Sequence, residues 1–206
     1  MPPFVHLNLR RNPFGEFDRD ERKALAVVEL DDLTLHMDRP GKVAIQFLGP
    51  QGRGKSTHLL ALHRLHEAAP YTQLYVDEEV EVPPGDVQFI DSFDLWPTRR
   101  RRRALRAVHR LACTTHVDLR PELQSMGFDV VTRRFGAASR THLHGLVRSV
   151  MERRIEHCRR REGPVPHLDD VDVARLIALF GDDIRAMEHH LYDLFQALPG
   201  VCRVQV

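Results

Sequence analysis

The sequence predicts an α/β fold in which a parallel sheet is followed by a smaller helical subdomain. Apolar segments of strand length alternate with helical patterns over the first two thirds of the chain, and the last third contains helical patterns alone. A glycine-rich turn joins the first predicted strand to the helix after it. Because such alternation is typical of parallel sheets covered by helices, we expect an α/β core with an N-terminal arm over residues 1–136 and a helical subdomain over residues 137–206.

Five short segments have the composition of β-strands. They are rich in apolar and β-branched residues and are bounded by turn residues or by polar side chains. These segments cover residues 42–48, 71–76, 87–91, 108–114 and 129–132. The start of the fourth strand overlaps the end of a basic helix that begins at Thr98, so the boundary between them stays open at this point.

Helical patterns occur at both ends of the chain. Asp18 followed by Glu21 forms a capping-box pattern before a short apolar helix face. Three apolar stripes with helical period follow the last strand and cover residues 143–155, 173–180 and 184–198. Residues 136–139, which are small, separate these stripes from the strands. We therefore place the boundary between the two parts of the chain at residues 136–137.

The glycine-rich turn matches the phosphate-binding P-loop pattern from Gly49 to Ser56. Glycines allow successive backbone N–H groups to point inward at an anion, and the N-terminus of the next helix adds positive potential. Lys55 is expected to reach the β- and γ-phosphates, and the Ser56 hydroxyl to bind Mg²⁺. The residues expected to contact the nucleotide are Gly49, Pro50, Gln51, Gly52, Arg53, Gly54, Lys55, Ser56 and Thr57.

A second acidic group is needed near the metal, and Asp91 is the candidate. It ends the buried strand over residues 87–91, and open α/β sheets bind ligands at the carboxyl ends of their strands. Many ATPases place a glutamate directly after this aspartate to orient the attacking water, but Ser92 occupies that position here. Asp94 is one candidate base. Glu78 and Glu79 are the others, provided that the second strand lies beside the P-loop strand.

Three further features have both a functional and a plain structural interpretation. Thr114 and Thr115 end an apolar segment, where a hydroxyl would sense the γ-phosphate or simply end a strand. The run Arg99–Arg103 would supply an arginine finger, bind nucleic acid or form a solvated helix face. Arg185, near the start of the last helix, would point at the nucleotide or into solvent.

Composition indicates a cytoplasmic protein. The net charge of +1 gives no general attraction to nucleic acid or to membranes. The three cysteines are widely spaced and lack a Cys-x-x-Cys pair, which favours reduced thiols. The start of the chain lacks a signal-peptide pattern, and we find no apolar run long enough to cross a bilayer.

Taken together, these motifs resemble the AAA+ ATPases, a branch of the ASCE class of P-loop NTPases. The matching order is the P-loop, the strand ending at Asp91, a sensor-1-like Thr114 or Thr115, and a helical lid with a sensor-2-like Arg185. The resemblance implies a three-layer core, ATP with Mg²⁺, and an adenine contact from Phe14 in an N-terminal Pro-Phe segment. The similarity is greatest to small single-domain ATPases that regulate transposition or secretion.

The resemblance implies an ATPase or ATP-dependent switch acting on a protein partner, on nucleic acid, or through self-assembly. Two departures from the family pattern are Ser92 in place of the usual glutamate and a core with only 35 residues between Lys55 and Asp91. The first leaves weak or absent hydrolysis open. One alternative is a P-loop kinase for a small acceptor bound by residues 77–79. The other is a scaffold that binds nucleotide with little or no hydrolysis.

Overall fold

The computed structural model describes residues 3–76, 78–136 and 140–206. The chain forms two compact units: residues 28–136 make up one, and residues 3–27 together with 140–206 make up the other. In the described residues the strands are β1 Val43–Leu48, β2 Tyr71–Gln73, β3 Val87–Asp91, β4 Arg110–Thr115 and β5 Asp129–Arg134. The α-helices are α1 Arg19–Leu25, α2 Asp31–Met37, α3 Lys55–His63, α4 Thr98–Ala104, α5 Arg120–Ser125, α6 Arg140–His157, α7 Asp170–Phe180 and α8 Ile184–Ala197.

The unit formed by residues 28–136 contains a five-stranded sheet in the order β2-β3-β4-β1-β5. Every neighbouring pair is parallel, as the sequence predicts. Strand β1 lies between β4 and β5 and pairs with both over its full length, and Leu48 lies opposite Thr115 on β4. The carboxyl ends of the strands therefore lie along one edge of the sheet.

Helices cover both faces of this sheet, because consecutive buried residues on a strand point to opposite sides. On β1, Ala44 faces an apolar cluster that contains Leu105 and Leu123 from α4 and α5 or their ends. Its neighbour Ile45 faces a second cluster, which contains residues of α2 and α3. An α/β unit with a parallel sheet between helices is consistent with a three-layer arrangement.

The second unit is helical and includes the N-terminal segment. Its buried residues come from that segment, from α6, α7 and α8, and from the C-terminal residues. Asp18 caps α1 and forms the predicted capping box with Glu21, and Asp169 and Asp172 form another at the start of α7. The three predicted helical stripes correspond to α6, α7 and α8.

The expected division of the chain differs from the structure at its N-terminal end. We expected the N-terminal arm to belong to the α/β core, whereas residues 3–27 pack into the helical unit. The physical reason is apolar burial, because Leu7, Phe14 and Phe17 contribute buried side chains to the core of that unit. The expected boundary residues 137–139 lie outside the described residues.

Several element boundaries also differ from the expected ones. The second strand is shorter than residues 71–76, since β2 lies at the sheet edge and pairs only with β3, from Tyr71 to Gln73. The basic helix ends at Ala104 instead of continuing to residue 109. The short helices α2 and α5 were not predicted, because each buries too few side chains to form a clear stripe. None of the described helices combines the length and apolarity needed to span a bilayer.

Candidate functional site

The glycine-rich loop connects β1 to α3 at the carboxyl edge of the sheet. Gly54 has φ of 85°, a left-handed conformation that favours glycine, and it precedes the first residue of α3. At Gly49 the reason for glycine is steric: a Cβ there would lie 2.8 Å from the carbonyl oxygen of Phe135. Residues 50–53 complete the loop, and Thr57 lies in the first turn of α3. The loop thus has the strand–turn–helix context that the motif requires.

The Lys55 ammonium group lies within the curve of this loop. Its Nζ donates hydrogen bonds to the carbonyl oxygens of Gly49 and Pro50, both at 2.7 Å. The residue is only 7% exposed. A lysine charge is thereby held next to the backbone segment in which an anion is expected.

His58 supports the loop from one turn further along α3. Its Nδ1 lies 3.0 Å from the Gly54 carbonyl oxygen, and its ring packs edge-on against Phe135 at a centroid distance of 4.8 Å. Burial lowers the pKa of His58, and the nearby charge of Arg133 lowers it further, whereas the bond to Gly54 opposes the change. A neutral imidazole is the form that fits this position.

Asp91 is the centre of a hydroxyl cluster. The Ser56 hydroxyl donates to Asp91 Oδ1 at 3.0 Å, and the Tyr71 hydroxyl donates to Oδ2 at 3.0 Å. The Thr114 hydroxyl also donates to Asp91 Oδ1. The carboxylate is 3% exposed and faces the start of α3. The structure therefore brings together Ser56 and Asp91, the two residues that the sequence predicts as metal ligands.

Only one of the two threonines at the end of β4 faces Asp91. Thr114, rather than Thr115, contacts Asp91, and its oxygen also accepts a hydrogen bond from the Ser92 N–H at 2.7 Å. The Thr115 hydroxyl instead donates to the Val117 carbonyl oxygen at 2.7 Å. Because side chains alternate along a strand, only one of the two can face Asp91.

The three candidate bases fall in different places. Asp94 lies in a 3₁₀ turn directly after β3 and contacts His116, which follows β4. Glu78 and Glu79 are exposed and follow β2. Their role as bases required β2 to lie beside the P-loop strand β1. It does not, because β3 and β4 separate β2 from β1. Their neighbour Asp77 lies outside the described residues.

The arginine run mostly makes contacts within its own unit. Arg101 is 8% exposed and pairs with Glu122, while Arg100 stacks on Trp96 with its Cζ 4.2 Å from the ring centroid. Arg102 donates to the Ser125 hydroxyl. Arg99 and Arg103 are exposed. The run is therefore partly a structural anchor of α4.

Phe14 and Arg185 belong to the helical unit. The Phe14 ring is 4% exposed and packs edge-on against Phe195 at a centroid distance of 5.0 Å. The ring is therefore buried in the core of that unit. Arg185 is exposed in the first turn of α8. The roles expected of these two residues at a nucleotide stay predictions.

The sequence-based site missed Tyr71, His58 and His116. Tyr71 gave no signal, since its contact with Asp91 depends on the pairing of β2 with β3. His58 had one: it lies three residues after Lys55, on the helix turn that follows the loop. Within the described ranges, no group of three or more His, Cys, Asp or Glu residues is arranged to hold a metal ion.

Comparisons with known proteins do not identify a relative of this chain. No protein-family model matches it, and neither does any curated protein. The functional argument therefore depends on the geometry of the site.

Proposed function

We propose that this protein binds ATP with Mg²⁺ at the glycine-rich loop and uses it as an AAA+-like ATPase or ATP-dependent switch. The observation that carries the proposal is the joint placement of three predicted groups at one edge of the sheet. Lys55 lies within the loop, and the Ser56 hydroxyl lies 3.0 Å from Asp91 Oδ1. A triphosphate bound there would accept hydrogen bonds from the backbone N–H groups of the loop and would pair with the Lys55 ammonium group.

The residues present fit a magnesium ion. Mg²⁺ is usually bound in proteins by one or two carboxylates with water and phosphate oxygens, so it does not need a cluster of acidic residues. Ser56 and Asp91 offer a hydroxyl and a carboxylate in contact with each other. When bound, Mg²⁺ would neutralise charge on the phosphates. Tyr71 and Thr114 would hold the Asp91 carboxylate in place.

The choice of ATP and the coupling to a partner follow from the AAA+ resemblance of the sequence. A switch acts by binding its partner differently in its two nucleotide states. Arg99, Arg102 and Arg103 are the exposed residues of the arginine run and would be available to a protein, a second copy or nucleic acid. A cytoplasmic location is supported by three free cysteines, of which Cys113 and Cys158 are buried.

The first test is the Lys55→Ala substitution. We expect ATP affinity to fall by about 10- to 100-fold, because charge-assisted hydrogen bonds contribute roughly 1.5–3 kcal/mol each. Isothermal titration calorimetry with ATP and Mg²⁺ measures the change. Lys42→Ala is the matched control, since it removes an identical charge from a lysine that precedes β1 and lies 5.2 Å from the Phe128 ring. Equal affinity of the wild type and Lys55→Ala would contradict the proposal.

A non-hydrolysing scaffold is the second candidate, and Ser92 favours it. The position after Asp91 carries a hydroxyl instead of the glutamate that many ATPases use, and its φ of 62° is left-handed. A scaffold would retain nucleotide through purification and release no phosphate. A small-molecule kinase, in contrast, would release ADP only when an acceptor is added. Assays of ADP and of free phosphate, each with and without acceptors, separate the three activities: an ATPase forms both, a kinase forms ADP only with an acceptor, and a scaffold forms neither.

A further inference from the structure

A histidine–aspartate pair lies at the same edge of the sheet as the proposed nucleotide site. His116 comes directly after β4, and Asp94 lies three residues after the end of β3. The Gly49 N–H donates to the Thr115 carbonyl oxygen at 3.2 Å, which joins the start of the glycine-rich loop to the residue before His116. β4 also lies between β1 and β3 in the sheet. The strand that precedes His116 therefore lies next to the strand that leads into the loop and next to the strand that ends at Asp91.

The hydrogen bond between the two side chains assigns the imidazole tautomer. His116 Nδ1 lies 3.1 Å from Asp94 Oδ2. An ionised carboxylate only accepts hydrogen bonds, so in the neutral imidazole Nδ1 carries the hydrogen and Nε2 keeps the lone pair. The His116 side chain is 43% exposed, whereas that of Asp94 is 11% exposed. A partly exposed imidazole whose Nδ1 is held by a mostly buried carboxylate is an arrangement that suits a general base.

The backbone directs Asp94 into this position. Ser92 has a left-handed φ of 62°, and its N–H donates to Thr114 Oγ1. The chain then forms a 3₁₀ turn over Phe93–Leu95, which contains Asp94. A residue with a left-handed φ is energetically unfavourable unless it is glycine. The left-handed residue and the turn that follows it place Asp94 within hydrogen-bond distance of His116.

One carboxylate oxygen of Asp94 lacks a hydrogen-bond partner among the described residues. Its Oδ1 is buried and makes no hydrogen bond to any residue in the described part of the chain. An unpaired buried carboxylate oxygen is costly and needs an explanation, and a catalytic role is one explanation that fits this position. The other charged groups at this edge include Arg53 and Lys55 of the loop, Asp91, Arg134 at the end of β5, and Asp118, which is engaged by Gln46 and Arg134.

We propose that His116 is the general base of ATP hydrolysis and that Asp94 is its positioning residue. The inference depends on the proposed function and supplies the base that Ser92 cannot. In the step, His116 Nε2 takes a proton from water while the water oxygen bonds to the γ-phosphorus. The bond from this phosphorus to the β–γ bridging oxygen breaks, and its electron pair leaves with ADP. The imidazolium then returns its proton to phosphate or solvent.

The main experiment compares phosphate release by the wild type and by His116→Gln. We expect kcat to fall by roughly 10²–10⁴-fold, the usual contribution of a general base, while the Kd for ATP changes less than about threefold. Asp94→Asn should lower kcat by about tenfold or more, because an amide can hold the wrong tautomer.

A matched control is available on the same strand. His109 precedes β4, is also exposed and is also paired through Nδ1 with a carboxylate, that of Asp86. It lies at the opposite end of β4, so His109→Gln should retain kcat. His116→Ala should regain activity when free imidazole is added, a rescue that a purely structural role would not produce.

The outcomes separate this inference from the proposed function. If the wild type does not bind ATP in calorimetry, both are wrong. If it binds ATP but releases no phosphate with or without partners and acceptors, or if His116→Gln and His109→Gln turn over alike, the base is not His116 while nucleotide binding stands. A loss of kcat confined to the Asp94 and His116 variants, with imidazole rescue, supports it.

Discussion

At Gly49 the backbone runs so close to Phe135 that a methyl group has no room. A Cβ there would lie 2.8 Å from the carbonyl oxygen and 2.9 Å from the Cβ of Phe135. The N–H of Phe135 also donates to the Leu48 carbonyl oxygen at 2.8 Å, so the neighbouring chain cannot easily move away. The first glycine of the loop is therefore required by packing, apart from any role in ligand binding.

Gly49→Ala should consequently destabilise the α/β unit even without nucleotide. We expect a loss of about 1–3 kcal/mol in the free energy of unfolding, the usual cost of overpacking. Urea unfolding followed by far-UV circular dichroism measures it. The opposite result is expected for Gly145→Ala in α6, where nothing lies within 4 Å of the new Cβ. That change should add up to about 1 kcal/mol, because alanine favours helices over glycine. Equal effects of the two substitutions would disprove the packing argument.

At the scale of single elements, α4 shows how one charge run divides into inward and outward residues. Arg101 donates to the Trp96 carbonyl oxygen, to Thr98 and to Glu122. The side chains of Arg101 and Glu122 are 9% and 14% exposed. This buried pair connects α4 to α5, whereas Arg99 and Arg103 lie on the outer side of the same helix.

Arg101→Ala should therefore be far more destabilising than changes at its neighbours. Removing one member of a buried ion pair leaves the other charge unpaired and costs about 3–5 kcal/mol. Arg99→Ala and Arg103→Ala should stay within about 0.5 kcal/mol of the wild type. Thermal and urea unfolding of the three variants provide the measurement. Similar losses at all three positions would mean that the whole run is structural.

The elements could be predicted from the sequence where their apolar residues have a strong period. Strand β3, the start of α3 and the helices α6 to α8 follow from such patterns. The order of the strands could not be predicted, because it depends on which faces pack together in three dimensions. For that reason Ser56 and Asp91 were identified from their motifs, but Tyr71 was missed and Glu78 and Glu79 were expected beside the wrong strand.

At the scale of the whole molecule, the N-terminal segment packs with the helical unit, which the sequence did not predict. Phe14 and Phe17 were close in sequence to the predicted core, but they pack with helices from the last third of the chain. Arg154 joins them: it stacks on Phe17 with its Cζ 4.4 Å from the ring centroid and donates to the Pro13 carbonyl oxygen. Contacts between distant parts of a chain leave no local pattern, so the division into units had to come from the structure.

In the helical unit, an ion pair also attaches the C-terminal residues to α7. Arg203 donates to both oxygens of Asp172, at 2.8 Å and 3.0 Å, and the Asp169 N–H donates to one of them. Burial alone would raise the pKa of Asp172, but the bonds from Arg203 and Asp169 outweigh it and lower the pKa to about 2. Asp172 is fully buried, so the last residues of the chain depend on this carboxylate for their attachment to α7.

The two units should therefore respond differently to Asp172→Asn and to acid. An aspartate in an unfolded chain has a pKa of about 3.9. Because the folded value is lower, the ion pair stabilises the helical unit above pH 4, and this contribution disappears as pH falls towards 2. Asp172→Asn should cost about 1.5–3 kcal/mol at pH 7, and the difference from the wild type should vanish near pH 2. Asp170→Asn is the control, since its ion pair with Arg148 is exposed.

The single tryptophan, Trp96, lies in the α/β unit and makes the two responses separable. Its fluorescence follows unfolding of that unit, whereas far-UV circular dichroism follows both. If the units unfold independently, Asp172→Asn shifts only the circular dichroism transition, in urea at pH 7, and leaves the fluorescence midpoint unchanged. A parallel shift of both signals would instead mean that the chain unfolds as one cooperative structure. No shift in either signal would mean that Arg203 does not depend on Asp172 for holding the C-terminus.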